Sequence, residues 1–192
     1  KRIYRLRLSQ GIEEKKLFYI PNSPLFEKIK HFIKKDSDPL KLIAISTISK
    51  AVDFDLVLDA MKKLKKEFSQ ITLTIIGTGM GLENLKKKVK KMHLSSIITF
   101  MGSKSHEEVF EIIAKHGIGI ALYTDDASWS FYSDSMKARD YLALGLPAAF
   151  KSYQDQFKTI TDPEAAARAV LEMARYFSDQ TFLSGIGTIA RI

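Results

Sequence analysis

From residue 40 onward the sequence predicts an α/β fold, a three-layer αβα sandwich around a parallel sheet. Short apolar runs alternate with amphipathic segments of helical periodicity, the pattern of repeated strand–helix units. The apolar runs are nearly continuous, as expected of strands covered by helices on both faces. Right-handed crossovers bring the carboxyl ends of such strands to one edge of the sheet, where open α/β sheets bind ligands. We therefore expect one binding crevice at that edge.

Five apolar runs are predicted to be strands because each is short and bounded by polar residues or glycine. They lie at 42–46, 71–76, 97–100, 118–122 and 147–150. Between them, apolar residues at helical spacing predict helices over 57–68, 82–92 and 105–113. Ser105 and Glu108 form the capping-box pattern of a helix start. A last long helix is predicted from about Pro163, a favoured first-turn residue, to Phe177.

The segment 133–147 is the most informative part of the chain. It predicts a capped helix with Lys137 in its first turn, Asp140 one turn later and a Gly-Leu-Pro stop. A cation is unfavourable at a helix N-terminus unless an anion lies nearby, and the free N–H groups there bind phosphate. Asp140, on the same helical face, is placed to accept hydrogen bonds from sugar hydroxyls. The alternative is a surface lysine paired with an aspartate three residues on, and the motif alone does not separate the two.

Two more segments fall at the predicted binding edge. The run 77–81, Gly-Thr-Gly-Met-Gly, allows either a phosphate or sugar close to the backbone or simply a tight turn, and taken alone it favours the turn. Its spacing fits neither the dinucleotide fingerprint nor the Walker loop. Trp129, Phe131 and Tyr132 crowd the loop 123–132. They are suited to stacking on a sugar or an acceptor, and equally to packing against another domain.

The net charge of the chain limits the classes of partner that it is expected to bind. A formal net charge of +8 favours acidic ligands or surfaces, such as nucleotides, nucleic acid or anionic lipid headgroups. Much of this charge lies in two lysine clusters, at 62–66 and 86–91. Both clusters fall in helical patterns, so a solvated outer face is expected, with a peripheral membrane surface as the main alternative. No aromatic residue lies among the lysines, so we expect no nucleic-acid partner.

Other composition data exclude several classes of protein. The chain has no cysteine, which excludes a disulfide scaffold and a thiolate metal site and fits a reducing compartment. The four histidines have no partners at metal-ligand spacing, and His116 is expected to cap the end of a helix. No apolar run approaches the ~18 residues that span a bilayer, and no secretory signal opens the chain. We expect a cytoplasmic protein, with membrane association at the cytoplasmic face as an additional expectation.

The first 39 residues differ from the rest. They are predicted to be the remnant of an N-terminal domain and an interdomain linker, with a strand-like run at 17–20 and a turn at 21–24. The α/β domain is assigned to 40–180 and a C-terminal tail to 181–192. The chain opens on lysine without an initiator methionine, so we expect it to be a piece of a longer protein.

In combination and in this order, these segments resemble the C-terminal, donor-binding domain of glycosyltransferases with two facing Rossmann-like domains, the GT-B fold. The likeness covers 17–180 and is to the large retaining group called glycosyl transferases group 1. The run 137–147 resembles its K-x-x-E-Y-L-A-x-G-x-P segment, and 99–109 resembles its F-x-G strand and next helix. The run 76–79 is similar to its glycine turn, and 20–22 to its interdomain linker. The resemblance implies a Rossmann-like domain that forms one half of a GT-B fold.

The resemblance also implies roles for individual residues. Lys137 and Asp140 would be the catalytic residues, holding the donor diphosphate and the nucleotide ribose. Ser103 and Lys104 would border the base. The full set of implied donor contacts is Ser46, Lys50, Gly79, Met80, Ser103, Lys104, Tyr132, Ser135, Met136, Lys137 and Asp140. Such enzymes usually need no metal, because basic side chains and backbone amides stabilise the leaving diphosphate. No cofactor is implied beyond the nucleoside diphosphate sugar, which is the substrate.

The implied enzyme transfers a hexose to a glycan, a lipid-linked saccharide or a polysaccharide. Its acceptor would bind to an N-terminal domain, so this chain alone is expected to be inactive. Thr47 stands where the group commonly has arginine, Lys50 is only approximately placed, and Tyr132 stands where the first of two glutamates is usual. Two other functions remain compatible with the sequence. They are a sugar-nucleotide epimerase of GT-B architecture and a non-catalytic basic module that binds nucleic acid or an anionic membrane.

Overall fold

A computed structural model of the protein describes residues 2–18, 26–32, 38–124 and 135–151. Within these ranges five strands form one parallel sheet in the order β3-β2-β1-β4-β5. The strands are β1 (Lys41–Ile45), β2 (Thr72–Ile76), β3 (Ile98–Gly102), β4 (Ile118–Leu122) and β5 (Ala148–Lys151). The helices are α1 (Arg2–Ser9), α2 (Phe26–Ile29), α3 (Phe54–Glu67), α4 (Leu82–Lys91), α5 (His106–Ile113) and α6 (Met136–Ala143), with 3-10 turns at Glu14–Lys16 and Lys30–Phe32.

The strand order reverses at β1. Strands β2 and β3 extend the sheet on one side of β1, and β4 and β5 extend it on the other. In register, Ile43 of β1 is paired with Thr74 of β2 and with Gly119 of β4. A crevice opens at the carboxyl ends of two neighbouring strands where the order reverses, here between β1 and β4.

Two separate cores flank the sheet, which confirms the predicted three-layer αβα architecture. One face packs against α3 and α4, whose apolar stripes include Val57, Met61, Leu64, Leu85 and Val89. The other face packs against α5, α6 and α2, through Val109, Phe110, Ile113, Tyr141, Leu144 and Ile29. Because helices cover both faces, the central strands read as almost unbroken apolar runs.

The N-terminal region differs from the prediction. Leu17 and Phe18 have no regular secondary structure, so the strand predicted there is wrong in its described part, and residues 19 and 20 lie outside the described ranges. Within the predicted linker, α2 forms instead and buries Ile29 completely in the same core cluster as Ile43 and Tyr141. The burial of Ile29 depends on the sheet, which local sequence pattern does not report. The domain boundary at residue 40 stays a prediction.

The other element predictions that fall in the described residues agree with the structure to within three residues. The capping box of Ser105 and Glu108 is present at the start of α5. The end of α5 is capped as expected, because the His116 ring contacts the Ile112 carbonyl oxygen at 2.6 Å and the Thr74 hydroxyl at 2.8 Å. The predicted helix 163–177, the tail and most of the aromatic loop lie outside the described residues. No helix in the described part is long and apolar enough to cross a membrane.

Candidate functional site

Lys137 lies at the point where the strand order reverses. Its ammonium Nζ donates a 2.9 Å hydrogen bond to the hydroxyl of Ser46, the residue that follows β1. Ser46 is buried, and its own hydroxyl proton is donated to the Thr47 carbonyl oxygen at 3.1 Å. The Ser46 oxygen therefore presents a lone pair to Lys137, which holds the ammonium over the end of β1.

Tyr123, the residue that follows β4, also contacts the ammonium. The Nζ of Lys137 is 5.9 Å from the centre of its ring, within the range of a cation–π contact. The Tyr123 side chain is buried, and Lys137 is itself partly buried. Burial lowers the pKa of Lys137 from its ordinary value because the charged form loses solvation. A bound anion would restore stabilisation to the ammonium.

The N-terminus of α6 lies beside this cation. The hydroxyl of Ser135 accepts a hydrogen bond from the Ala138 N–H at 3.4 Å and so caps the helix. Within the described chain, the N–H groups of Met136 and Lys137 have no acceptor. The helix has no acidic residue in its first turn to neutralise its partial positive charge. Two free donors and one ammonium thus share the same end of the sheet.

Tyr141 fixes α6 against the sheet. Its side chain is fully buried, and its hydroxyl accepts a hydrogen bond from the Ile45 N–H at 3.0 Å. The same hydroxyl points to the Ile120 carbonyl oxygen at 3.5 Å, which bridges the ends of β1 and β4. The ring lies so close to Gly119 that a Cβ there would come within 2.3 Å of it. Burial raises the pKa of Tyr141, so its hydroxyl stays protonated.

Asp140 is one helical turn beyond Lys137 and is partly buried. Burial raises the pKa of its carboxyl group, and the nearby His106 at the start of α5 lowers it. The ion pair between Lys137 and Asp140 that the sequence left open does not form, because Lys137 is bonded to Ser46 instead. Within the described residues no hydrogen bond to the Asp140 carboxylate is formed, so this group is available near His106 at the start of α5.

The model of the family described as glycosyl transferases group 1 matches residues 26–124, more than half of the chain. The chain belongs to this family. The matched residues run from α2 to the end of the β4 region, so Lys137 and Asp140 lie beyond them. No curated protein matches this glycosyltransferase-family sequence significantly.

Solved structures with the same fold include three from bacteria. The Anabaena protein HepE, solved with UDP and glucose, has a TM-score of 0.65 at 14% identity, over 97% of this chain and 55% of that one. The C-terminal domain of LpcC from Francisella tularensis, a glycosyl transferase group 1 family protein, has a TM-score of 0.56 at 17% identity, over 89% and 90%. The pneumococcal O-GlcNAc transferase GtfA, solved with UDP and GlcNAc, has a TM-score of 0.57 at 14% identity, over 82% and 32%. This chain therefore spans about a third of the GtfA chain.

In this glycosyltransferase-family domain the glycine-rich run serves the packing of two loops. A Cβ on Gly77 would lie 1.8 Å from the Ser46 carbonyl oxygen, and one on Gly79 would lie 2.3 Å from that of Ile48. Both glycines have positive φ angles, of 132° and 153°. The tight-turn interpretation is therefore supported, and the turn holds the loop that carries Ser46. Met80 projects from this turn fully exposed. Contact of Gly79 and Met80 with a donor stays a prediction.

The remaining predicted site residues are not gathered around Lys137. Lys50 lines a separate cleft of about 220 Å³, with Asp53, Asp55 and Lys88. Ser103 and Lys104 follow the edge strand β3, and the strand spacing puts them roughly 10 Å from the end of β1. Lys104 is paired with Glu108 at 3.1 Å. Tyr132 lies outside the described residues.

The sequence analysis did not single out Tyr123 or Tyr141. Tyr123 directly follows a predicted strand at the binding edge, and that position was the available signal. Tyr141 stands at the tyrosine of the segment that resembles K-x-x-E-Y-L-A-x-G-x-P, but its contacts were not foreseen because its partners Ile45 and Gly119 lie on other elements.

Proposed function

We propose that this chain is the donor-binding domain of a glycosyltransferase that takes a hexose from a nucleoside diphosphate sugar. The observation that carries the proposal is the Lys137 ammonium, held 2.9 Å from Ser46 beside the free N–H groups of α6. A diphosphate in this position gains a cation, two backbone donors and the partial positive charge of a helix N-terminus. Family membership supports the choice of a sugar nucleotide over other anions.

The same contacts favour bond cleavage. As the bond between the sugar and the diphosphate breaks, negative charge develops on the leaving diphosphate. Donors that are already oriented towards that charge stabilise the transition state without reorganisation. The mechanism proposed here needs no metal ion, and the described residues contain no cluster of three or more candidate metal ligands.

Asp140 is proposed to bind the nucleotide ribose. Its carboxylate oxygens accept hydrogen bonds from hydroxyl donors such as those of a ribose, and the group is partly buried on the same helical face as Lys137. The loop with Ser103 and Lys104 is proposed to border the base, because His106, which begins the next helix, already lies near Asp140. Both roles extend the diphosphate site along the same edge of the sheet.

The acceptor is proposed to be a glycan, a lipid-linked saccharide or a polysaccharide bound by a separate N-terminal domain. HepE and GtfA were crystallised with UDP and a sugar, which supports nucleotide-sugar chemistry. We further propose that the protein acts in the cytoplasm, with its basic α3–α4 surface against an anionic membrane. No acceptor site is proposed within residues 38–151.

Calorimetric titration of the folded chain with UDP-, GDP- and ADP-sugars tests the donor proposal. Binding of at least one of them is expected, with UDP alone retaining most of the affinity because the diphosphate supplies most of the charge. Cooperative urea unfolding provides the control for an intact fold. A cooperatively folded chain that binds none of the three would contradict the proposal.

A further inference from the structure

We propose that Tyr123 is a positioning residue that holds the Lys137 ammonium and the start of α6 in the geometry that receives the diphosphate. This inference rests on the proposed donor site and assigns a role to a residue that directly contacts neither the sugar nor the base. The proposed diphosphate site has two parts, the Lys137 ammonium and the N-terminus of α6. Tyr123 contacts both parts and links them to β4.

The position of Tyr123 is fixed by its neighbours. Its backbone forms an antiparallel bridge with Val52, in the loop that follows β1. The next residue, Thr124, donates its N–H to the Ala51 carbonyl oxygen and its hydroxyl to the Lys50 carbonyl oxygen, each at 3.1 Å. The side chain is 9% exposed. The backbone that carries the ring is therefore held to the loop after β1.

The aromatic face of Tyr123 orients the lysine. A free lysine side chain samples many rotamers and loses that freedom when it binds an anion. Here Nζ contacts both the Ser46 hydroxyl at 2.9 Å and the face of the ring, whose centre is 5.9 Å away, so one arrangement is favoured before any ligand arrives. Preorganisation of this kind raises affinity because less ordering remains to be done on binding.

The hydroxyl of Tyr123 acts on the helix. It lies 3.4 Å from the hydroxyl of Ser135, the residue that caps α6 through the Ala138 N–H. This cap fixes the direction in which the N–H groups at the start of α6 point. The ring therefore positions the lysine and the hydroxyl positions the helix cap. Substitutions can remove one of these contacts without the other.

Two substitutions test the ring and the hydroxyl individually. Tyr123→Phe keeps the ring and removes the contact with Ser135, whereas Tyr123→Leu removes both. UDP affinity, measured by calorimetry, should fall by only a few-fold in Tyr123→Phe and by about tenfold in Tyr123→Leu, the size of a partly desolvated cation–π contact. Tyr4→Leu, on α1, is the matched control and should leave affinity unchanged. Should Tyr123→Leu fail to fold cooperatively, Tyr123→Met fills the same space without an aromatic face.

A spectroscopic measurement tests the geometry without a ligand. The NMR signal of the Lys137 side chain should carry a ring-current shift that persists in Tyr123→Phe and disappears in Tyr123→Leu. Loss of the shift in both variants, or equal UDP affinity in wild type and Tyr123→Leu, would overturn the positioning role and leave the donor site standing. A wild-type chain that shows the shift but binds no nucleotide diphosphate would instead overturn the donor site.

Discussion

At the scale of single residues, the proposed site depends on Lys137, the cation that the described residues place at the end of β1. Lys137 is partly buried, bonded to Ser46 and placed over Tyr123, while Lys50 lines a different cleft. Thr47, and not a basic residue, follows Ser46. The affinity of the proposed diphosphate site should therefore be especially sensitive to Lys137.

Lys137→Ala is expected to lower UDP affinity by about 10- to 150-fold, since a charge-assisted hydrogen bond contributes ~1.5–3 kcal/mol. The fold should survive, because the ammonium lies at the edge of the sheet rather than in either core. Calorimetry measures the affinity, and Lys115→Ala, at an exposed lysine after α5, is the control of equal charge. An affinity within threefold of wild type would remove Lys137 from the site.

Tyr141 makes a second residue-scale prediction, on stability. Tyr141→Phe keeps the packing of the ring and leaves the Ile45 N–H without its acceptor, which should cost ~1–3 kcal/mol. Urea unfolding measures this loss. Tyr4→Phe, whose hydroxyl bonds Glu14 at the surface, should change stability by less than about 0.5 kcal/mol. Equal small losses in both variants would show that the buried hydroxyl does not hold α6 to the sheet.

At the scale of elements, the capping box at the start of α5 contains a titratable carboxyl group, that of Glu108. The Ser105 N–H and hydroxyl, followed by Lys104, lower the pKa of Glu108 from 4.5 to about 2. A carboxyl group with a lowered folded-state pKa stabilises the fold above its unfolded pKa and loses that contribution as pH falls through its folded pKa. The capping box should therefore stabilise the chain fully above pH 4.5 and weaken progressively down to about pH 2.

Glu108→Gln tests this pH dependence. The variant should be less stable than wild type near neutral pH, and the difference should shrink between pH 4.5 and about 2, because only the wild type loses a charge there. Urea unfolding across that range provides the measurement. Glu111→Gln, exposed on the same helix, is the control. A difference that stays constant with pH would show that the cap acts through hydrogen-bond geometry alone.

Local patterns predicted most elements because the deciding contacts are local. The capping box joins Ser105 to a residue three positions later, and the apolar composition of the strands by itself indicates that they are buried. The contact of Tyr141 with Ile45 joins residues 96 positions apart, so no window of sequence reports it. The burial of Ile29 in a predicted linker was missed for the same reason. Lys137 was singled out because a lysine in the first turn of a helix is unfavourable without an anion, and Asp140 because it lies on the same helical face; their roles stay predictions.

At the scale of the whole molecule, positive charge is concentrated away from the candidate site. Helices α3 and α4 carry nine lysines and four acidic residues, and their apolar sides are buried against the sheet. Among these lysines, Lys88 pairs with Asp55, Lys86 pairs with Glu83, and Lys65 donates to the His93 carbonyl oxygen. The exposed lysines with no described partner are Lys62, Lys66, Lys87, Lys90 and Lys91. Both helices end at the amino edge of the parallel sheet, opposite the site, so a surface bound there leaves the donor crevice open.

The α3–α4 surface is expected to bind anionic vesicles. Each lysine near such a surface contributes about 1 kcal/mol, so replacing Lys87, Lys90 and Lys91 with glutamine should weaken binding to vesicles containing phosphatidylglycerol by about 100-fold. Co-sedimentation measures the effect, with pure phosphatidylcholine vesicles as the neutral reference. Glutamine at Lys15, Lys16 and Lys115 changes the net charge equally and should have little effect, because these residues lie outside α3 and α4. Equal loss in both triple variants would show that net charge, not this surface, attracts the membrane, and tighter binding to duplex DNA than to the vesicles would assign the surface to nucleic acid instead.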